Sequence, residues 1–152
     1  MTSGPSEVTV IRDALEADVP ALVEMACRFV DETVYRSLLI PDPDAMTALA
    51  RSFLNEPDRA LLVAERDGQV IGMIGLMVYR HPMSGQRAAN EIVWWVNPEQ
   101  RGCGVRLLRA AEAWAKDRGA TVIQMIAPSP DVEVLYERLL YRPVERTYQR
   151  RL

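Results

Sequence analysis

The feature that most limits what this chain can fold into is a glycine-bearing turn between a predicted strand and a predicted helix. Residues Asn90 to Val96 form a β-rich run that ends before Pro98, and Val105 to about Arg118 carries apolar residues at helical spacing. The turn between them, Gln100 to Gly104, leads directly into the helix. Backbone N–H groups at a helix start are free to bind an anion, and the helix dipole favours negative charge there. The turn therefore predicts a phosphate-binding site.

The residues of the turn fit this prediction but leave an alternative open. Gly102 and Gly104 would let the backbone approach a bulky ligand, and positive charge comes from Arg101, Arg106 and Arg109. A lone Gly-x-Gly can equally be a tight turn with solvated arginines. The turn is not a P-loop, because no Gly-Lys-Ser/Thr follows. It is not a dinucleotide fingerprint either, because three correctly spaced glycines are missing.

The other predicted elements alternate between strand and helix periodicity, which is typical of an α/β fold with a mixed central sheet flanked by helices. The pair Asp67-Gly68 is the favoured turn of a β-hairpin. The predicted strands are 8–12, 60–66, 69–79, 90–96 and 121–127, with one or two short strands from Tyr141 onward. The predicted helices are 18–30, 44–55, 105–118 and 129–140.

Composition and charge narrow the function classes. The 152 residues, 49% of them hydrophobic and 26% charged, suit a single domain spanning 1–152. A net charge of −3 gives no overall attraction to nucleic acid or to an anionic membrane. The apolar stretches stop well short of the ~20 residues that cross a bilayer, and the first seven residues do not resemble a signal peptide. We therefore expect a cytoplasmic protein with no nucleic-acid or membrane partner.

No metal is expected, because Cys27, Cys103 and the single His81 form neither a disulfide framework nor a metal-ligand cluster.

Two segments resemble landmarks of the GNAT acetyltransferase superfamily. The stretch Trp95 to Val105 is similar to the family's "V-x-P-x-x-R-G-x-G" segment, and Leu135 to Pro143 is similar to its "L-Y-E-K-L-G-F" element. The element order fits from Val8 to the C-terminus, so the resemblance covers nearly the whole chain. The run Arg106 to Trp114 resembles small stand-alone bacterial and phage-associated members.

The resemblance implies a GNAT fold and transfer of an acetyl group from acetyl-CoA to a primary amine by direct attack in a ternary complex. Backbone amides of the turn would hold the coenzyme pyrophosphate, and its pantetheine arm would lie along the preceding strand. By this resemblance the coenzyme-binding residues are Trp94, Trp95, Val96, Arg101, Gly102, Cys103, Gly104, Val105, Arg106 and Ser129. Arg106 and Leu140 depart from the family pattern, which has small residues there, and Ser129 stands where asparagine is frequent.

The resemblance also suggests catalytic residues. An amine with a pKa of about 10.4 must lose a proton during the reaction, and Glu91, on the strand beside the expected thioester, is the candidate base. A solvated glutamate is an equal alternative, and Asp31 and Glu32 are weaker candidates for the base. Tyr136 would donate a proton to the leaving thiolate, and the backbone N–H of Val96 would polarise the thioester carbonyl.

Other functions stay open at this stage. The chain could be a non-catalytic CoA-binding sensor or interaction module, or an acyltransferase that uses another acyl-CoA. The acceptor, a small-molecule or peptide amine, is not determined by the sequence. Pairing of two copies into a homodimer is expected from the resemblance alone.

Overall fold

The computed structural model describes residues 8–152. The first seven residues lie outside the described part. The predicted domain begins with these residues, and the prediction about a signal peptide also concerns them. The elements are β1 (Thr9–Asp13), α1 (Val19–Asp31), α2 (Pro43–Asn55), β2 (Arg59–Arg66), β3 (Gln69–Arg80), β4 (Arg87–Val96), α3 (Gly104–Asp117), β5 (Val122–Gln124) and α4 (Pro130–Arg138). Short 3-10 helices cover Glu16–Asp18, Val34–Ser37 and Pro98–Gln100.

The sheet is mixed. Its strand order is β1-β2-β3-β4-β5, with antiparallel pairing from β1 through β4 and parallel pairing of β5 to β4. Two buried clusters lie on the sheet. One joins α1 and α2 to it and includes Leu22, Phe53 and Met73, and the other joins α3 and α4 to it and includes Leu107 and Tyr136. This architecture confirms the predicted α/β fold with a mixed central sheet flanked by helices.

The predicted hairpin is confirmed. Asp67 and Gly68 both have positive φ, 51° and 76°, which is the conformation that a two-residue hairpin turn requires. Among residues 8–152, no helix combines the length and the hydropathy needed to cross a membrane.

The strands predicted from Tyr141 onward were wrong. In the described part of the chain, residues 141–152 form neither strand nor helix. Val144 and Tyr148 are 76% and 88% exposed, so this segment buries no apolar face that would drive strand pairing. Pro143 removes a backbone donor, and β5, with only three residues, offers a short template. The segment instead makes side-chain contacts, such as that of Arg151 with the carbonyl of Ser37.

The last helix ends in a conformation that normally belongs to glycine. Leu140 has a φ of +68°, and the backbone N–H groups of Leu140 and Tyr141 donate to the carbonyls of Glu137 and Tyr136. These bonds close the helix as a left-handed C-terminal cap. Leu140 replaces the small residue of the family pattern without changing the geometry of the cap, and its own backbone is strained as a result.

Replacing Leu140 by glycine should stabilise the fold. The left-handed conformation costs a leucine about 1–2 kcal/mol, while the leucine side chain is 90% exposed and has little packing to lose. After the extra chain entropy of glycine is subtracted, Leu140→Gly should raise the free energy of unfolding by about 0.5–1 kcal/mol in urea denaturation. The control is Leu15→Gly, at an exposed leucine with a φ of −116°, which should give no gain. Equal effects at both positions would contradict the assignment of strain to Leu140.

Candidate functional site

The site lies where two parallel strands diverge. β5 pairs with β4 only at Ala88, Ala89 and Asn90, so in the described structure the rest of that β4 edge has no strand partner. The N–H of Asn97 donates to the carbonyl of Ile71 on the β3 side, at 2.9 Å. Because backbone groups alternate in direction along a strand, those of Trp94 and Val96 face the open edge. An extended ligand can therefore add to β4 as a further strand would.

Two side chains hold the end of β5 away from β4 by binding the same residue, Ile126. The carboxylate of Glu91 accepts a hydrogen bond from the N–H of Ile126 at 2.8 Å, and the hydroxyl of Tyr136 donates to its carbonyl at 3.0 Å. These bonds satisfy backbone groups that a longer β5 would have paired with β4. The structure thus brings together the two residues predicted to be catalytic, and it ends the strand earlier than the predicted boundary at residue 127.

A β-bulge turns Glu91 toward this site. Gly75 pairs with Val93 while the next residue, Leu76, pairs with Glu91, so Ile92 is an extra residue in β4. Directly opposed residues share a face of the sheet, and Leu76 belongs to the cluster under α3 and α4. Glu91 therefore lies on the same face as Trp94, although strict alternation over three residues would place the two on opposite faces.

Burial changes the acid–base properties of Glu91. The residue is 4% exposed, and burial raises the pKa of its carboxyl to about 7, against a smaller opposing effect of the Ile126 N–H. In the described residues, no arginine or lysine forms an ion pair with it. Burial and the nearby Glu91 also raise the pKa of the Tyr136 phenol, so that hydroxyl stays protonated at neutral pH. Glu91 can therefore take up a proton near neutrality, as a general base requires.

The predicted phosphate-binding turn has the expected backbone geometry. α3 begins at Gly104, and its first internal bond runs from the N–H of Leu107 to the carbonyl of Cys103. The N–H groups of the three residues from Gly104 to Arg106 therefore have no acceptor within the helix, and no side chain caps them. Gly102 has a φ of +116°, which side chains rarely adopt. An anion can bind directly to these amides.

The side chains around the turn bring positive charge, whereas its backbone provides the free N–H groups. Cys103 is 1% exposed, and burial raises the pKa of its thiol, so this residue can offer a ligand only its backbone. Arg101 and Arg106 are exposed. Arg66, at the end of β2, was not predicted to be part of the turn. It donates to the side-chain oxygen of Gln100 at 3.3 Å and brings a further cation to the turn.

Trp94, which lines the cleft beside Glu91, carries an unsatisfied polar atom. Its indole N–H is buried and, within residues 8–152, has no hydrogen-bond acceptor. The ring stacks on Tyr136, with centroids 5.7 Å apart, and lies against Gly104 at the start of α3. A buried donor without an acceptor is costly, and an oxygen of a ligand bound between β4 and α3 would satisfy it. This atom and the free amides of the turn fit a phosphate-bearing ligand that runs along the strand.

Two further residues predicted to bind the coenzyme are Trp95 and Ser129. The Trp95 side chain lies on the other face of the sheet, where its indole N–H donates to Asn97 at 3.0 Å and its ring meets Phe29. Ser129 precedes α4 and makes no capping hydrogen bond through its hydroxyl.

A small cleft, partly open to solvent, lies beside Glu91. It is lined by Phe29, Tyr35, Glu91, Ile92, Trp94, Ile126, Pro128 and Val132. The sequence missed Tyr35, because no element was predicted between residues 31 and 43. The weaker candidates for the base are elsewhere: Asp31 is exposed, and Glu32 is paired with Arg28 at 2.8 Å.

Comparisons with known proteins relate this chain to acetyltransferases by sequence and to several solved structures by fold. A relative from Rattus norvegicus, N-acetyltransferase 8, is 28% identical over 83 residues, which are 53% of this chain and 37% of the rat protein. A transcriptional regulator from Bacillus halodurans C-125 superposes with a TM-score of 0.80 at 21% identity, over 95% of this chain and 100% of that one. The aminoglycoside N-acetyltransferase AAC(6')-Iy, crystallised with CoA, gives 0.80 at 18% identity over 99% of both chains. At these identities the two structures show a shared fold.

The family is shown by a match that spans β2 to β5 and α2 to α4 of the described structure, together with the end of α1. Residues 26–140 match the acetyltransferase (GNAT) family, and this segment contains the turn, Glu91, Trp94 and Tyr136. This chain therefore belongs to the acetyltransferase (GNAT) family.

Proposed function

We propose that this chain transfers the acetyl group of acetyl-CoA to a primary amine by direct attack in a ternary complex. The observation that carries the proposal is the arrangement around Ile126: a buried carboxylate with a pKa of about 7 and a protonated phenol meet beside the open edge of β4. Acid–base groups with shifted pKa values in a cleft are typical of a catalytic site. Membership of the GNAT family supports the choice of acetyl transfer.

Several parts of the chain would hold the coenzyme. The amides of residues 102–106 would bind its pyrophosphate, with Arg101 and Arg66 as nearby cations. The backbone of Trp94 and Val96 would pair with the pantetheine arm, and Ser129, which precedes α4, would also contact the coenzyme. Acetyl-CoA supplies an acyl group activated as a thioester.

Each catalytic side chain would then have a defined task. Glu91 would accept the proton of the attacking amine, and burial keeps the pKa of its carboxyl high enough for this at neutral pH. The N–H of Val96, which faces the open edge, would donate to the acyl oxygen as negative charge develops there. Tyr136 would protonate the leaving thiolate. Because its hydroxyl donates to Ile126 in the free protein, it must turn from that carbonyl to do so.

The function is tested by thiol release from acetyl-, propionyl- and succinyl-CoA in the presence of an amine panel. Release that depends on the amine and is fastest with acetyl-CoA is expected. A faster reaction with propionyl- or succinyl-CoA would show that the acyl donor is not acetyl-CoA. If calorimetry detects CoA binding but no amine causes thiol release, the chain is a CoA-binding module and not an enzyme.

Glu91→Gln should alter both the stability and the activity as functions of pH. The native pKa lies above the unfolded value, so the carboxyl costs no stability below about pH 4.5 and progressively more as pH rises through about 7. A native pKa of about 7 against 4.5 amounts to about 3 kcal/mol, so the variant should gain stability over the wild type at pH 8 relative to pH 5 in urea denaturation. In the wild type, kcat/KM should fall as pH drops below about 7, and the variant should lose this limb.

The matched control for this experiment is Glu137→Gln, which removes one negative charge from an exposed position on α4. An unchanged pH–rate profile in Glu91→Gln would assign proton removal to water or to another carboxylate.

Tyr136→Phe should lower kcat by roughly 10- to 100-fold, the lower range of general acid catalysis, with little change in the Kd for CoA. Steady-state kinetics and calorimetry separate the two quantities. Tyr148→Phe, at an exposed tyrosine of the C-terminal segment, is the control. A wild-type kcat in Tyr136→Phe would remove the hydroxyl from the mechanism.

Trp94→Phe should weaken CoA binding. The change removes the buried indole N–H that a coenzyme oxygen would satisfy, at about 1 kcal/mol or roughly fivefold in Kd by calorimetry. Trp114→Phe, on α3 where the ring stacks with Arg118, should leave the Kd unchanged. If both variants bind CoA like the wild type, the indole N–H of Trp94 does not contact the coenzyme.

A further inference from the structure

We infer that the acceptor is a primary amine carried on an apolar, preferably aromatic, body that binds in the cleft beside Glu91. This inference rests on the acetyl transfer proposed above and names the class of substrate for that same site.

The cleft pairs one carboxylate with apolar and aromatic walls. Phe29 and Tyr35 form one wall, with ring centroids 5.2 Å apart, and Ile92 and Val132 contribute aliphatic surface. Glu91 is the one carboxylate among the lining side chains of the described structure. A single ammonium group has a partner here, and aromatic rings attract it further through cation–π interaction. The rest of the acceptor must meet apolar surface.

Further exposed apolar residues belong to the segments that supply the cleft. The segment that supplies Tyr35 also exposes Val34, Leu39 and Ile40, at 54%, 48% and 93%. Ile126, which lines the cleft, is 44% exposed. Exposed apolar side chains at a cleft are typical of a surface that a ligand covers. An apolar substituent on the amine would cover it.

Two carboxylates near the end of α1, those of Glu32 and Glu99, share one cation. Arg28 pairs with Glu32 at 2.8 Å and with Glu99 at 2.9 Å. A further ammonium group of a polycationic acceptor would have to compete with Arg28 for either carboxylate, and Asp31 on α1 does not line the cleft.

The remaining charges do not suit a polar acceptor either. Asp131 and Glu133 flank Val132 in sequence, but neither lines the cleft. A polycation of the aminoglycoside type, which the name of one structural neighbour gives as its substrate, needs several carboxylates. A phosphorylated amine needs a cation, and the lining residues in the described structure include neither lysine nor arginine.

The test compares four acceptors with the intact wild-type protein and acetyl-CoA: phenethylamine, ethanolamine, kanamycin and glucosamine 6-phosphate. Burial of the phenyl ring should make kcat/KM for phenethylamine at least about tenfold higher than for ethanolamine. Kanamycin and glucosamine 6-phosphate should react more slowly than phenethylamine.

Ile92→Asp supplies a second carboxylate at a lining position that is 37% exposed. It should lower kcat/KM for phenethylamine and raise that for the diamine putrescine, reversing their order. Val10→Asp makes the same change at a 48% exposed strand residue on β1 and should leave the order unchanged. CoA binding by calorimetry verifies that each variant is folded.

The outcomes separate this inference from the proposed function. Faster transfer to kanamycin, ethanolamine or glucosamine 6-phosphate than to phenethylamine would overturn the acceptor class and leave acetyl transfer standing. No thiol release with any acceptor, despite CoA binding, would overturn the acetyl transfer itself and the acceptor class with it.

Discussion

The hydrogen bonds from Glu91 and Tyr136 to the two backbone groups of Ile126 are the contacts on which the site depends. They replace the bonds that a longer β5 would form, and the chain can therefore leave β4 after only three paired residues. The divergence exposes one edge of β4 to a ligand and opens the cleft beside it. The proposed mechanism uses the same two side chains to move protons. The residues that hold the site open are therefore also the residues that would act in catalysis.

This arrangement is costly for the fold. A carboxylate that is 4% exposed, with no cation as a partner in the described residues, disfavours the native state whenever it is ionised. A single N–H donor offsets only part of the loss of water. The cost is consistent with function, because a base whose pKa is about 7 exchanges protons at neutral pH, whereas a solvated glutamate would already be ionised and weakly basic.

The sequence predicted those parts of the molecule that local rules determine. The start of α3, at Gly104 against the predicted Val105, and the Asp67-Gly68 hairpin follow from turn chemistry and periodicity, and the family resemblance pointed to Glu91 and Tyr136. The sequence did not predict the bulge at Ile92, because an extra residue in one strand is defined only by the pairing with its partner strand. Tyr35 was missed because a one-turn helix carries no periodic signal. The strands predicted from Tyr141 onward are absent because the segment buries no apolar face and the three-residue β5 offers only a short edge for pairing.

The most direct test of this account is a crystal structure of the protein with bound CoA. The account predicts pyrophosphate oxygens on the amides of residues 104–106, a pantetheine arm hydrogen-bonded to the backbone of Trp94 and Val96, and a sulfur atom that ends at the cleft beside Glu91. CoA bound away from the open edge of β4, or with its sulfur far from Glu91, would contradict it.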